Sequence, residues 1–202
     1  MQGDTVRARA QADLSWSALE PFGDRHAAAQ GAMTLGLVEL LADDAAAAEA
    51  VLRRGYEPLV EMGDTSFLAR IAALLAEALR RQGRDAASLK LTEEAAALAA
   101  RDDFVTQCSW RTTAALARVA RGEQVEALRL ARESLEAVER TDAIVAHGDA
   151  LIGLAEALRA AGAEADARGV TARAGELYEQ KGDLVDAGRA RALRDDLGAL
   201  IH

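Results

Sequence analysis

LAEALR, at Leu75–Arg80, returns unchanged at Leu154–Arg159, an offset of 79 along the chain. Each copy runs into a glycine, Gly83 or Gly162, and these two share the same offset. Gly122, in ARGEQ, falls midway between them. Backwards along the chain, Asp43 in LLADDA stands half that offset before Gly83. Breaks at 43, 83, 122 and 162 therefore recur evenly. Self-similarity at a fixed period of about 40 residues is the signature of a repeat architecture.

A second series of breaks interleaves with the first: Gly63-Asp64, Asp102-Asp103, Thr141-Asp142 and Gly182-Asp183. Each places an aspartate ahead of the next apolar-periodic stretch, where a helix N-cap belongs. Its carboxylate can accept from the orphan N–H groups of the first turn and suits the positive end of the helix dipole. Two breaks per period mean two helices per period, each of roughly 15 to 18 residues. The expected order is a leading helix over Thr5–Leu19, ended by Pro21 and Gly23. Pairs follow over Arg25–Ala42 with Asp44–Met62, Ser66–Gln82 with Asp85–Ala100, Phe104–Arg121 with Gln124–Arg140, and Ala143–Ala161 with Ala163–Gln180. A closing helix spans Leu184–Ile201. Gly55 and Pro58 both fall inside one of these helices, where a kink or an exposed turn of backbone is expected because proline has no N–H to donate.

The fold class read from this pattern is all-α: a right-handed superhelix, or solenoid, of about four antiparallel helix pairs with a leading and a closing helix. It forms a single repeat domain over residues 1–202, with the leading helix in 1–22, pairs in 23–62, 63–100, 101–140 and 141–181, and the closing helix in 182–202. One such pair cannot bury its apolar face alone; stacked neighbours make the core continuous and the terminal helices cap it.

Small residues recur at fixed distances from the breaks at 43, 83, 122 and 162. Five positions beyond each break stand Ala48, Ser88, Ala127 and Ala167; twelve beyond, Gly55, Ala95, Ser134 and Ala174; seven before, Gly36, Ala76, Ala115 and Ala155. Residues this small let neighbouring helix backbones approach closely. Eight before the break, Leu35, Leu75, Ala114 and Leu154 suit an apolar interior position. Four before it, Glu39, Leu79, Arg118 and Leu158 are mixed, so that site faces water in some repeats or the register slips by one.

Half of the residues are hydrophobic but only 3% are aromatic, so alanine and leucine, both strong helix formers, carry the burial. A net charge of −9 argues against nucleic-acid binding, which needs a basic face to displace counterions from phosphates. The apolar runs are broken by charges well short of the roughly 20 residues a membrane span requires, so no membrane partner is expected. The opening MQGDTVRARAQADL lacks a signal-peptide layout, and a lone cysteine, Cys108, gives no internal disulfide; a cytoplasmic location is expected.

Leu-Gly at Leu35-Gly36, Leu-Ala at Leu75-Ala76 and Leu154-Ala155, the turn glycines and the alanines after them resemble the tetratricopeptide (TPR) signature. The period departs from it, at about 40 residues in place of about 34, and the aromatic positions are mostly leucine, alanine or threonine. Three stretches, Glu39–Asp64, Arg101–Arg111 and Leu177–Leu193, are similar to the TPR-like C-terminal regions of bacterial multidomain signalling and transcriptional regulators, where a cyclase or DNA-binding domain is joined to an ATPase. The resemblance implies a fragment or free-standing relative of such a protein, without the cyclase or ATPase activity.

No phosphate loop, nucleophile elbow or metal-ligand spacing is present, and His26, His147 and His202 are scattered. No enzyme activity and no cofactor or metal are expected. Cys108 reads as a buried small hydrophobe and Trp110 as a core or inter-helix contact, with a groove anchor as the alternative for Trp110. In TPR arrays, which this chain resembles, the first helix of each pair lines a concave groove. The groove-binding candidates are then Gln30, Arg70, Ser109 and Asp149, together with Glu77, Arg80, Glu156 and Arg159 from the two LAEALR copies. The bland alternative for each acid–arginine pair is intrahelical pairing worth a few tenths of a kcal/mol. The function expected is a scaffold or sensor that binds a protein or peptide, a helix or a neighbouring domain in that groove, within bacterial signalling. Self-association as a homo-oligomer and small-molecule sensing for an attached ATPase are the other two readings.

Overall fold

The computed structural model describes residues 5–19, 25–63, 65 and 67–199. These form ten α-helices: α1 Thr5–Leu19, α2 Arg25–Leu41, α3 Ala45–Met62, α4 Leu68–Arg81, α5 Asp85–Leu98, α6 Phe104–Ala120, α7 Gln124–Val138, α8 Ile144–Ala160, α9 Glu164–Lys181 and α10 Leu184–Ala199. No strand occurs among the described residues. The helices fall into two compact units, α1–α5 up to Ala99 and α6–α10 from Ala100 onward.

The four turns within pairs share one backbone device. Gly83, Gly122 and Gly162 all sit at positive φ, between 72° and 77°, and Asp43 at 63°. In each turn the next residue donates its N–H to a carbonyl five positions back: Asp44 to Glu39, Arg84 to Leu79, Glu123 to Arg118 and Ala163 to Leu158, at 2.9 to 3.0 Å. A left-handed residue closing such a bond is the standard helix stop, and glycine adopts it without strain. Asp43 does the same job at some cost, since it carries a Cβ.

The N-caps match the expected aspartates only in part. Asp44 and Asp103 accept from the N–H groups of Ala47 and Thr106 at 3.0 and 3.1 Å. Asp183, buried at the start of α10, accepts from Asp186 at 3.4 Å. Asp102 is not a cap, because Asp103 holds that position. Nor is Asp142: α8 begins after Ala143, whose N–H is taken by the Thr141 hydroxyl at 3.2 Å. Asp64 lies outside the described residues, and α4 starts behind Phe67 with no side-chain cap. One helix, α3, runs through Gly55 and Pro58. The bond Pro58 cannot make would go to Arg54, on the exposed side, where its loss costs least.

All twelve positions of the small-residue columns are buried. The tightness of the helix crossings is measurable. A Cβ added to Gly36 of α2 would lie 2.6 Å from the Leu52 side chain of α3, and one on Gly148 of α8 would lie 2.6 Å from Tyr178 of α9. Where a column holds serine, the hydroxyl is used across the pair. Ser88 of α5 donates to the Ala76 carbonyl of α4 at 2.8 Å, and Ser134 of α7 to the Cys108 carbonyl of α6 at 2.9 Å. Larger side chains fill the remaining space, Leu52, Leu59, Ile71 and Leu75 in the first unit and Leu151 and Tyr178 in the second.

The mixed column is corrected by the structure: neither the register slips nor does Glu39 face water. Glu39 is buried like Leu79 and Leu158, and its charge is met by Arg9 from α1, whose Nε donates at 2.8 and 3.0 Å and Nη2 at 2.5 Å. Arg118, its counterpart in α6, is three-quarters covered and pairs with Glu123 at 2.6 Å. A buried charge is tolerable only when paired in this way.

Candidate binding surface

Within each unit the first helices of successive pairs lie against each other, α2 beside α4 and α6 beside α8. The approach is closest in the second unit, where a Cβ on Gly153 of α8 would come within 2.8 Å of Thr112 Cγ2 on α6. The second helices, α3 with α5 and α7 with α9, show no comparable backbone approach. In the first unit the second helices meet instead through side chains, the Tyr56 hydroxyl of α3 donating to the Glu94 carboxylate of α5 at 2.8 Å.

In the first unit Gln30 of α2 and Arg70 of α4 are exposed at equivalent positions of adjacent helices. In the other unit, Ser109 of α6 is half-buried and Asp149 of α8 exposed, again at equivalent positions. Asp149 accepts a 2.7 Å hydrogen bond from the Tyr178 hydroxyl. Burial first, and then the neighbouring Asp149 carboxylate, raise the Tyr178 pKa far above the usual phenol range.

The two acid–arginine pairs form within their own helices. Arg80 donates from Nε and Nη2 to Glu77 at 2.8 Å each, and Arg81 adds a 2.7 Å bond to the same carboxylate. Arg81 also reaches the Leu40 carbonyl at the end of α2, at 2.7 Å, and so ties adjacent first helices together. Burial opposes the charge of Glu77, but the bonds and charges of Arg80 and Arg81 outweigh it and its pKa falls below the usual carboxylate value. Arg159 donates to Glu156 at 2.8 Å with its side chain 47% exposed, against 23% for Arg80. Arg159 therefore has room to exchange its partner, whereas Arg80 serves the local clasp.

The repeat columns carry further residues that their chemistry alone had not singled out. Six before each break stand Leu37, Glu77, Leu116 and Glu156; Leu37 is exposed and Leu116 half-buried, so this line alternates apolar and acidic. Trp110 and Arg111 stand one period before Ala150 and Leu151, which are fully buried in α8. Trp110 is not core: it is half-buried, donates to Gln107 Oε1 at 3.2 Å, and carries the Arg111 guanidinium 4.2 Å from its ring centre. Burial lowers the Arg111 pKa, partly offset by Glu133, 3.8 Å away.

Cys108 is buried, and its thiol reaches the Ala146 carbonyl at 3.3 Å. Burial pushes its pKa up to about 11, so it is no nucleophile near neutrality. His147 is half-buried, and burial, with Arg173 nearby, lowers its pKa. Among the described residues no group of three or more His, Cys, Asp or Glu is placed to hold a metal, and no helix is long and apolar enough to cross a membrane.

Neither a protein-family model nor any curated protein sequence matches the chain. Among solved structures it is similar to BtubC (BKLC) from P. vanneervenii, with 18% identity and a TM-score of 0.59 over 98% of this chain and 92% of that one. At this identity the likeness concerns the fold alone, an all-helical, repeat-like arrangement.

Proposed function

We propose that the chain is a TPR-like protein-binding module, a solenoid of antiparallel helix pairs, that holds a peptide or helix of a partner protein on its first-helix face. The observation that carries this reading is the close approach of α6 to α8 through Gly153 and Thr112, without an equivalent approach of α7 to α9. Drawing one helix layer together makes that side concave, and concave layers of helix repeats are extended binding surfaces. The residues presented there favour a partner of mixed character. Exposed Arg70 and Arg159 suit carboxylates, Glu156 suits a basic side chain, and Leu37 offers an apolar contact. A role in bacterial signalling, as a scaffold or sensor attached to a larger regulator, follows from the resemblance of Glu39–Asp64, Arg101–Arg111 and Leu177–Leu193 to such repeat regions.

The test is a set of photo-crosslinking residues placed one at a time. Arg70, Ser109 and Asp149 report the first-helix face, while Arg54 and Arg132 report exposed positions of second helices. Captured protein at the first three positions, lost in an Arg70→Glu, Arg159→Glu variant of unchanged helicity, is the expected result. Capture only at Arg54 or Arg132 would refute the assignment of the surface.

A further inference from the structure

One concavity lies away from the first-helix face. It is a shallow groove between α9 and α10, of about 100 Å³, floored by Ala172, Gly175 and Ala190. Its edges are of opposite sign, with Glu176 and Glu179 on α9 and Arg191 and Arg194 on α10. Residues three apart share a helix face, so each edge is a two-charge row. The groove is well below the roughly 300 Å³ of small-molecule sites. Gly175 and Ala190 are themselves buried, Ala190 to 1% exposure, so the charged edges carry the accessible surface.

The edges are weakly used within the chain. Arg191 stands 3.7 Å from Glu179 with both side chains more than half exposed, and Arg194 stands 3.7 Å from Asp195. Pairs at that distance and exposure contribute little and exchange freely. An acidic row beside a basic row is complementary to itself under a two-fold rotation. The acidic edge of one copy then meets the basic edge of the other, and the reverse contact follows by symmetry.

We propose that α9 and α10 form an isologous dimer surface, whose occupant is the α9–α10 face of a second copy of this chain. Glu176 and Glu179 of each copy pair with Arg191 and Arg194 of the other. The footprint sets the strength. The face is two helices wide. With 18 residues in α9, at about 1.5 Å per residue and helix axes about 9 Å apart, it covers on the order of 500 Å² per copy. That is near the lower edge of specific interfaces, so the dimer dissociates in the micromolar range and weakens with salt. The proposal is independent of the reading of the first-helix face.

A charge-swap experiment on the full chain tests it. Sedimentation velocity across roughly 1 to 200 μM should show a monomer–dimer equilibrium for the native chain. Glu176→Arg with Glu179→Arg, and separately Arg191→Glu with Arg194→Glu, should each sediment as monomers of native helicity. Mixed in equal amounts, the two variants should again form a dimer, because every contact across the interface is then between opposite charges. If a double variant fails to fold, Glu176→Arg and Arg194→Glu serve as the corresponding single pair. A native chain that stays monomeric over the whole range overturns the proposal. So does a dimer that survives both reversals, or folded variants whose mixture stays monomeric.

Discussion

Glu39 offers a direct test of how this core tolerates charge. It occupies a column that holds Leu79 and Leu158 in other repeats, with its side chain 8% exposed, and it is held by Arg9, whose side chain is 37% exposed. Arg9→Ala removes the partner and leaves the carboxylate buried. Breaking a fully buried pair costs about 3–5 kcal/mol, and the partial exposure of Arg9 discounts this to about 2 kcal/mol. For a chain of this size that corresponds to a fall of about 4–8 °C in Tm. Glu39→Leu removes the charge and restores the apolar residue of the column, so it should be neutral or stabilising by about 1 kcal/mol. In that background Arg9→Ala should cost almost nothing, giving a coupling of about 2 kcal/mol in the double-mutant cycle. Thermal and urea unfolding followed by circular dichroism supply all four corners. An Arg9→Ala variant within about 0.5 kcal/mol of the native chain, or a Glu39→Leu variant that falls as far as Arg9→Ala, would show that Arg9 does not hold a buried charge.

Gly153→Ala gains up to about 1 kcal/mol of helix propensity but drives a Cβ to 2.8 Å from Thr112 Cγ2, an overpacking that costs about 1–3 kcal/mol. It should destabilise the native chain and stabilise a Thr112→Ser background, a change of sign visible in Tm. Asp103→Ala should cost about 1 kcal/mol through loss of the α6 cap, while Asp102→Ala and Asp142→Ala stay within about 0.5 kcal/mol by urea unfolding. The Cys108 thiol holds its proton up to about pH 11 in the folded chain, against a reference value of 9.0. The folded state therefore binds that proton more tightly, and stability falls as pH rises from about 9 to 11. Cys108→Ala should flatten that part of the stability–pH curve, and thiol labelling in mildly alkaline buffer should track unfolding.

The repeat period and its turns were legible because they depend on backbone conformation. A left-handed helix stop favours glycine, so Gly83, Gly122 and Gly162 stand out, and Asp43 is among the few other residue types that tolerate it. The small-residue columns were legible for a related reason, since close backbone approach excludes anything larger. What the chain hides is who satisfies its charges. Glu39 looks misplaced in a core column until folding brings Arg9, 30 positions away, to its carboxylate. The unused Asp102 and Asp142 were indistinguishable from Asp103 because capping turns on one residue of register. Of the surface, the helices that carry each candidate could be read from position in the period. Whether Arg80 or Arg159 is available could not, because that is decided by Arg81 and by local exposure.

The helix crossings also explain how a chain with only 3% aromatic residues packs its helices in adjacent pairs. In a helix pair the backbone separation is set by the residue with least volume at the crossing, here Gly36 under Leu52 and Gly148 under Tyr178. Once that separation is set, the neighbouring space can be filled by whatever large side chain reaches it. Leucine does so at Leu52, tyrosine at Tyr178, and an arginine–carboxylate pair at Arg9 and Glu39. The large positions are therefore free to drift as long as volume and charge are compensated, while the small ones are not. The physical prediction is an asymmetry: exchanging large residues among themselves at the crossings should be far cheaper than enlarging Gly36, Ala76, Ala115 or Ala155. A leucine at any of these four enters a buried crossing, where overpacking costs about 1–3 kcal/mol or more, read as a fall in Tm.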